Sequence, residues 1–113
     1  MQSYYFRLSW PGSEGVLALK VTIGLKIEWT RLDEFKQILK EVLPDTRVFP
    51  GCISVEVLEH HDTPGGITLM EEWESLEDQG EYINWLTETG MMQTLGSFIE
   101  AEPEIIYYEK LDI

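Results

Sequence analysis

From Val16 to Trp29 the chain alternates. Leu17, Leu19, Val21, Ile23, Leu25, Ile27 and Trp29 hold the odd positions, and Ala18, Lys20, Thr22, Gly24, Lys26 and Glu28 the even ones. Successive side chains of a strand point to opposite faces, so a period of two predicts a strand with one dry face and one more polar face. Such a run would extend more than about 40 Å, which calls for a bend or bulge, and Gly24 is the natural place for it. The period then changes. Leu32, Phe35, Ile38, Leu39, Val42 and Leu43 recur at helical spacing, with Glu34, Lys36, Lys40 and Glu41 mostly on the other side. Thr30 and Asp33 resemble a capping box at its start, and Pro44-Asp45 mark its expected end, with Pro50-Gly51 as a second break.

Period two returns from Cys52 to His60, with Ile53, Val55 and Val57 on one face and Cys52, Ser54, Glu56 and Leu58 on the other. Asp62-Thr63-Pro64-Gly65-Gly66 has turn composition and Ile67 to Trp73 is strand-like, so the two runs predict a hairpin. Ser75 is placed to cap a second helix, with Glu77 and Asp78 favouring its dipole. Leu76, Tyr82, Ile83 and Leu86, then Met91, Leu95, Phe98 and Ile99 beyond Gly90, make an interrupted helical stretch closed by Pro103. Glu104 to Leu111 is the last expected strand. The order β-α-β-β-α-β predicts an α+β, ferredoxin-like domain over residues 16–113, with a four-stranded antiparallel sheet and two helices on one face. Residues 1–15 stand outside this unit as an N-terminal extension. Tyr4, Tyr5, Phe6 and Trp10 are too aromatic for a free tail, and an extra edge strand would accommodate them. Two helices cover one sheet face only. The other face is half apolar in any register, which predicts pairing with a second copy as a two-fold homodimer.

Two segments resemble a known family. Thr46-Arg47-Val48-Phe49-Pro50-Gly51-Cys52 is similar to the T-R-x-x-P-G-C run before the second strand of antibiotic biosynthesis monooxygenase (ABM) domains. Met70-Glu71-Glu72-Trp73-Glu74-Ser75-Leu76 is similar to their x-E-x-W-x-S-x run at the end of the third strand. The resemblance spans roughly Val21 to Leu111. It implies a dimeric α/β barrel with a pocket between sheet and helices in each subunit. It also implies one of several functions: cofactor-free oxygenation of quinols and anthrones, haem degradation, or none known. Fold alone does not choose among them. Family members often carry a histidine nine residues after the motif tryptophan, where this chain has Tyr82. Ile83-Asn84-Trp85-Leu86-Thr87 resembles the W-L-x-S run of the haem-degrading branch, offset by about a helical turn. That branch holds iron through a helical histidine, and no histidine follows His61.

Oxygenation without a cofactor needs an apolar slot for a flat ring, a base or hydrogen-bond partner for its hydroxyl, and exclusion of water. Trp73 suits the wall of such a slot, or else is a core tryptophan at a strand end. Glu71 shares a strand face with Leu69 and Trp73. Between apolar neighbours its carboxyl would be a general base of raised pKa; otherwise it reaches solvent or pairs with Lys20, Lys26 or Arg31. Tyr82 is placed to hydrogen-bond a substrate oxygen, or is an amphipathic helix residue with its hydroxyl in water. The expected catalytic residues are therefore Tyr82 and Glu71, and the expected substrate contacts Trp73, Leu69, Asn84 and Trp85. Asn84 and Trp85, adjacent on a helix, point about 100° apart, so one of them is expected at the surface or a dimer contact. His60 and His61 diverge at a strand end beside Glu59 and Asp62 and read as a polar hairpin mouth, not a metal pair. Cys52 reads as a small buried residue.

Composition narrows the partners. The 113 residues are 43% apolar and 12% aromatic, enough for a core, and no apolar run is long enough to span a membrane. Twenty-one acidic residues face eight basic ones, a net charge of −13, which excludes nucleic acid and anionic membrane as partners. No Lys or Arg occurs from Val48 to Glu109, against fourteen Asp or Glu. A single cysteine and no recognisable export signal point to the cytoplasm. The leading expectation is thus a cytoplasmic homodimer, without cofactor or metal, that oxygenates a small planar aromatic with molecular oxygen. A binding or interaction module on the same fold, without turnover, is the alternative.

Overall fold

The computed structural model describes residues 18–113, so the aromatic N-terminal extension lies outside the described residues. The chain forms β1 (Leu19–Lys26), a single 3-10 turn (Trp29–Arg31), α1 (Leu32–Arg47), β2 (Cys52–Glu59), β3 (Gly66–Trp73), α2 (Leu76–Glu88), the short α3 (Met91–Gly96) and β4 (Glu104–Glu109). The strands pair antiparallel in the order β2-β3-β1-β4. This is the ferredoxin-like arrangement, with a third, short helix added where Gly90 takes a left-handed conformation and breaks the second helical stretch. No helix among the described residues is long and apolar enough to cross a membrane.

Register fixes the two faces. Leu19, Val21, Ile23 and Leu25 of β1 stand opposite Trp73, Glu71, Leu69 and Ile67 of β3. These residues form the inner face, beneath the helices. Two clusters of buried residues pack there. One gathers Leu25, Ile27, Phe35, Leu39, Leu43, Val55, Ile67 and Phe98; the other gathers Val21, Trp73, Tyr82 and Leu86. Arg31 ties the start of α1 to the end of α3. Its guanidinium lies 3.9 Å from the centroid of the Phe98 ring and donates to the Ser97 carbonyl at 3.3 Å. The outer face presents Leu58, Met70, Ile106 and Tyr108 among Lys20, Thr22, Ser54, Glu56, Thr68 and Glu72, and Leu58, Ile106 and Tyr108 are each more than two-fifths exposed.

Four local expectations are corrected. The β1 ladder runs unbroken through Gly24; the sheet's irregularity is a bulge between Cys52 and Ser54, which puts Cys52 and Val55 on the same inner face and leaves Ile53 exposed. The alternation at Ile27 ends in an isolated bridge to Ile99, and Trp29 belongs to the 3-10 turn. Thr30 does not cap α1. Its hydroxyl donates to Glu28, and the 3-10 turn leads directly into the helix, with Asp33 and Glu34 complementing the dipole. Pro44 does not end α1. It lies on the exposed side, so the Lys40 carbonyl that loses its partner faces water, and the helix continues to Arg47. The extra turn buries Thr46 and lets Arg47 donate twice to the Val55 carbonyl, at 3.0 and 3.3 Å.

Between α1 and β2 the chain turns at Gly51, whose φ of 90° is left-handed. A Cβ there would come within 2.4 Å of Asp78 in the first turn of α2. Gly51→Ala should therefore lose about 1–2 kcal/mol for the backbone conformation alone, plus the cost of displacing α2. Gly90→Ala, with a similar φ of 83° but open space around its Cβ, should show only the backbone part. Urea unfolding of the two variants measures the difference, and equal losses would refute the close approach to α2.

Candidate active site

The two core clusters leave space between them. A cavity of about 480 Å³ is floored by Ile23, Leu25, Leu69 and Ile105 of the sheet and roofed by Leu39, Val42 and Leu43 of α1, Leu86 of α2 and Met92 and Leu95 of α3. Gly96, Ala101, Pro103 and Ile105 are exposed lining residues, which puts the mouth at the α3–β4 loop and the β4 edge. Among the described residues only two polar side chains reach this lining, Glu71 and Tyr82.

Glu71 is 4% exposed and has no basic partner among the described residues. Lys20 and Lys26 stand on the opposite face of the sheet, so strand alternation prevents the pairing that would have made Glu71 an ordinary surface ion. One hydrogen bond holds it: the Trp73 indole N–H donates to Glu71 Oε1 at 2.8 Å. The two residues sit two apart on one strand face, which brings them together. Burial pushes the carboxyl above its ordinary value of 4.5, and the indole donor only partly opposes this.

Tyr82, at 4% exposure, projects from α2 toward the sheet. Its hydroxyl lies 2.5 Å from Thr46 Oγ1, and Thr46 Oγ1 lies 3.4 Å from the Val42 carbonyl. Burial raises the phenol to about 12, more than the Thr46 hydrogen bond lowers it, with the nearby Glu71 adding to the rise. The phenol stays protonated at neutral pH and is no base. An aromatic cluster surrounds it: Trp73 at 5.2 Å between ring centroids, Phe49 at 5.3 Å and Trp85 stacked at 6.0 Å.

Of the six expected site residues, Glu71, Tyr82 and Leu69 meet at the cavity. Trp73 is fully buried beside it, packed on Phe49 and Tyr82, and reaches the cavity only through its hydrogen bond to Glu71. Trp85 lies behind Tyr82 and lines a separate depression with Ile38, Val42 and Thr89. Asn84 is exposed, in a shallow hollow bordered by Gln79 and Tyr107. The pair diverges as their helical spacing requires. His60 bonds Thr68 at 3.0 Å and His61 is solvent-exposed near Asp62, so the two histidines part at the hairpin mouth.

Three contributors were not singled out from the sequence for a role. Thr46 continues the stripe of Leu39, Val42 and Leu43 by one turn, a signal hidden by reading Pro44 as the helix end. Phe49 lies in an irregular connection with no period to read. Gln79 is buried and accepts from the Tyr107 hydroxyl at 3.0 Å, but it stands outside the apolar spacing of α2.

The family model for antibiotic biosynthesis monooxygenases matches residues 19–88. Curated protein sequences give no match. Among solved structures, a conserved protein from Methanosarcina mazei Go1 is similar with a TM-score of 0.78 and 23% identity, over 95% of this chain and 99% of that chain. An antibiotic biosynthesis monooxygenase gives 0.75 at 17% identity, over 82% of this chain and 98% of that chain. Rv0793 from Mycobacterium tuberculosis gives 0.74 at 18%, over 85% and 97%. At these identities the likeness is one of fold.

Burial of Glu71 has a measurable consequence. A folded-state pKa above the unfolded value means the folded chain holds the proton more tightly. Glu71 therefore adds stability below the unfolded value near 4.5, and that contribution is lost as pH rises through the folded value. Glu71→Gln keeps the oxygen that accepts from Trp73 and removes the charge. The melting temperature of this variant relative to the parent should rise with pH from about 4.5 and then level off. A difference independent of pH would show that the carboxyl does not titrate abnormally.

Proposed function

The chain belongs to the antibiotic biosynthesis monooxygenase family, and on that premise we propose that it is a cofactor-free monooxygenase acting on a small planar phenol, a quinol or a polyketide-like ring, with molecular oxygen. The observation that carries this reading is the apolar cavity with one buried carboxylate at its wall. In the proposed reaction the flat ring lies over Leu69 between sheet and helices. Glu71 takes the phenol proton. The phenolate passes one electron to O₂, and recombination forms a carbon–oxygen bond at a ring carbon bearing hydrogen. That carbon's proton passes to the outer peroxide oxygen as the oxygen–oxygen bond breaks, and the departing hydroxide takes the phenol proton back from Glu71. One oxygen atom ends as a quinone carbonyl and the other as water. Phenol and O₂ give quinone and water, so the substrate supplies every electron.

Trp73 acts here as a positioning residue for Glu71, and Tyr82 as a hydrogen-bond partner of the bound ring. Asn84 and Trp85 do not line the cavity and receive no step. A binding module without turnover is the second reading. It is favoured by Tyr82, which stands where many relatives have histidine and is too weak an acid to exchange protons near neutrality. A cytoplasmic setting suits both readings, because Cys52 is then kept reduced.

Oxygen uptake with a panel of hydroquinones and anthrones is the direct test. Turnover should consume one O₂ per quinone, and Glu71→Gln should lower kcat by at least about a hundredfold, in the range of a lost general base. The rate should fall with acidity through a midpoint above 4.5, because only the ionised carboxylate accepts the proton. Trp73→Phe removes the donor that stabilises the carboxylate and should move this midpoint upward. Ligand-induced thermal stabilisation without oxygen uptake would favour the binding module.

The open sheet face supports a homodimer joined through it. Ile106→Glu, on the β4 edge of that face beside Thr22 and Tyr108, should turn a sedimenting dimer into a monomer without loss of helical circular dichroism. A parent chain already monomeric at micromolar concentration would overturn the dimer.

A further inference from the structure

The direction of one hydrogen bond decides what the cavity can recognise. Thr46 and Tyr82 share a 2.5 Å contact in which either hydroxyl could donate. Each hydroxyl carries one hydrogen, and each hydrogen needs an acceptor in a buried site. If Thr46 donated to Tyr82, the Tyr82 hydrogen would have no acceptor, since among the described residues the Tyr82 hydroxyl is hydrogen-bonded to Thr46 alone. If Tyr82 donates to Thr46, then Thr46 donates to the Val42 carbonyl, a back-bond within its own helix at 3.4 Å. Only this second arrangement satisfies both hydrogens. The relay runs from Tyr82 through Thr46 to Val42 and leaves the Tyr82 oxygen with acceptor capacity only.

Glu71 is oriented in the same sense. Its Oε1 is occupied by the indole N–H, and the ionised carboxylate has only acceptor capacity left to offer. We infer that Thr46 is a specificity-determining residue: by holding the Tyr82 hydrogen it makes both polar side chains of the cavity acceptors, so that the site takes planar rings bearing hydroxyl donors and rejects the same rings carrying carbonyls. This deepens the proposed function and rests on its placing of the ligand in this cavity. A quinol brings two donors to two acceptors. The same ring with carbonyls in place of those hydroxyls brings lone pairs to lone pairs and leaves its own oxygens without donors in an apolar surround. Selection of hydroxyl-bearing over carbonyl-bearing rings then follows from one arrangement of hydroxyls. A site built around one hydrogen-bond polarity discriminates against a ligand of the other far more strongly than an apolar pocket discriminates by size.

Equilibrium dialysis under argon, at pH 8, separates binding from turnover. The probes are tetramethylhydroquinone and tetramethylbenzoquinone. They share a skeleton, differ by two hydrogens, and carry ring methyls that block addition of the Cys52 thiol. The parent protein should bind the hydroquinone at least about tenfold more tightly than the quinone. Thr46→Val keeps the shape and removes the hydroxyl. It frees the Tyr82 hydrogen to donate into the cavity, so the preference should shrink about tenfold or invert through tighter quinone binding. Thr46→Ser restores the hydroxyl and should restore the preference. A merely structural loss at Thr46 would weaken both probes together. Should Thr46→Val fail to fold, Tyr82→Phe removes the phenolic acceptor and should weaken the hydroquinone alone. Equal binding of the two probes by the parent, or an unchanged ratio in the variants, overturns the inference while leaving the cavity as a ring site. If neither probe binds, the cavity is not a ring site and both readings fall.

Discussion

The hydrogen bond from the Trp73 indole to Glu71 is the constraint around which the inner face is arranged. A charge-assisted hydrogen bond contributes about 1.5–3 kcal/mol. Taking an unpaired carboxylate out of water costs several kcal/mol even after the protein relaxes around it. The bond therefore orients the group without compensating its burial, and the raised pKa of Glu71 expresses the remainder. An apolar residue at position 71 would give a more stable sheet. What the fold holds there instead is a carboxylate at the cavity wall with one oxygen engaged by the indole.

Everything near that group serves to hold it still. Trp73 could not keep its indole in place unless its own ring were locked, and Phe49, Tyr82 and the cross-strand neighbour Leu19 lock it. Tyr82 in turn is fixed by Thr46, which is buried only because α1 continues past Pro44. The bulge in β2 brings Cys52 to the same inner face, against both core clusters. The cavity lies where these clusters meet, and neither fills it: the left-handed break at Gly90 turns α3 so that Met92 and Leu95 roof the space from the side. A single continuous helix from Leu76 would carry those residues along its own axis, away from the mouth.

Much of this was legible in the chain. Period two gave β1, β2 and β3, the capping serine gave the start of α2, Gly90 marked an interruption without showing that a separate third helix follows it, and shared strand parity put Leu69, Glu71 and Trp73 on one face. Local rules failed where tertiary packing overrode them. Pro44 is a helix breaker by propensity, but on an exposed side its lost hydrogen bond goes to water and the buried Thr46 outweighs it. The bulge at Cys52 has no signature in a run that alternates cleanly. Whether Trp73 met a ligand or another side chain also exceeded the sequence, because its contact is made with Tyr82 across more than one element and no periodicity encodes that meeting. Thr46 fell inside a motif whose resemblance to a family was plain, yet a motif names positions and not the direction of a hydrogen bond.

The placement of charge gives the site its chemical character. No Lys or Arg occurs between Val48 and Glu109, and among the described residues no cation lines the cavity. In the proposed reaction the cavity carries one negative charge at every stage. It begins on Glu71, passes to the ring oxygen when the proton crosses, and passes to oxygen when the electron leaves. No step creates a second charge, so no step meets the full cost of charging an apolar space. An apolar wall with one carboxylate and no cation among the described residues thus suits a reaction whose driving force is the ring's own readiness to give up an electron, with the protein confining the ring, taking its proton and returning that proton to the departing water.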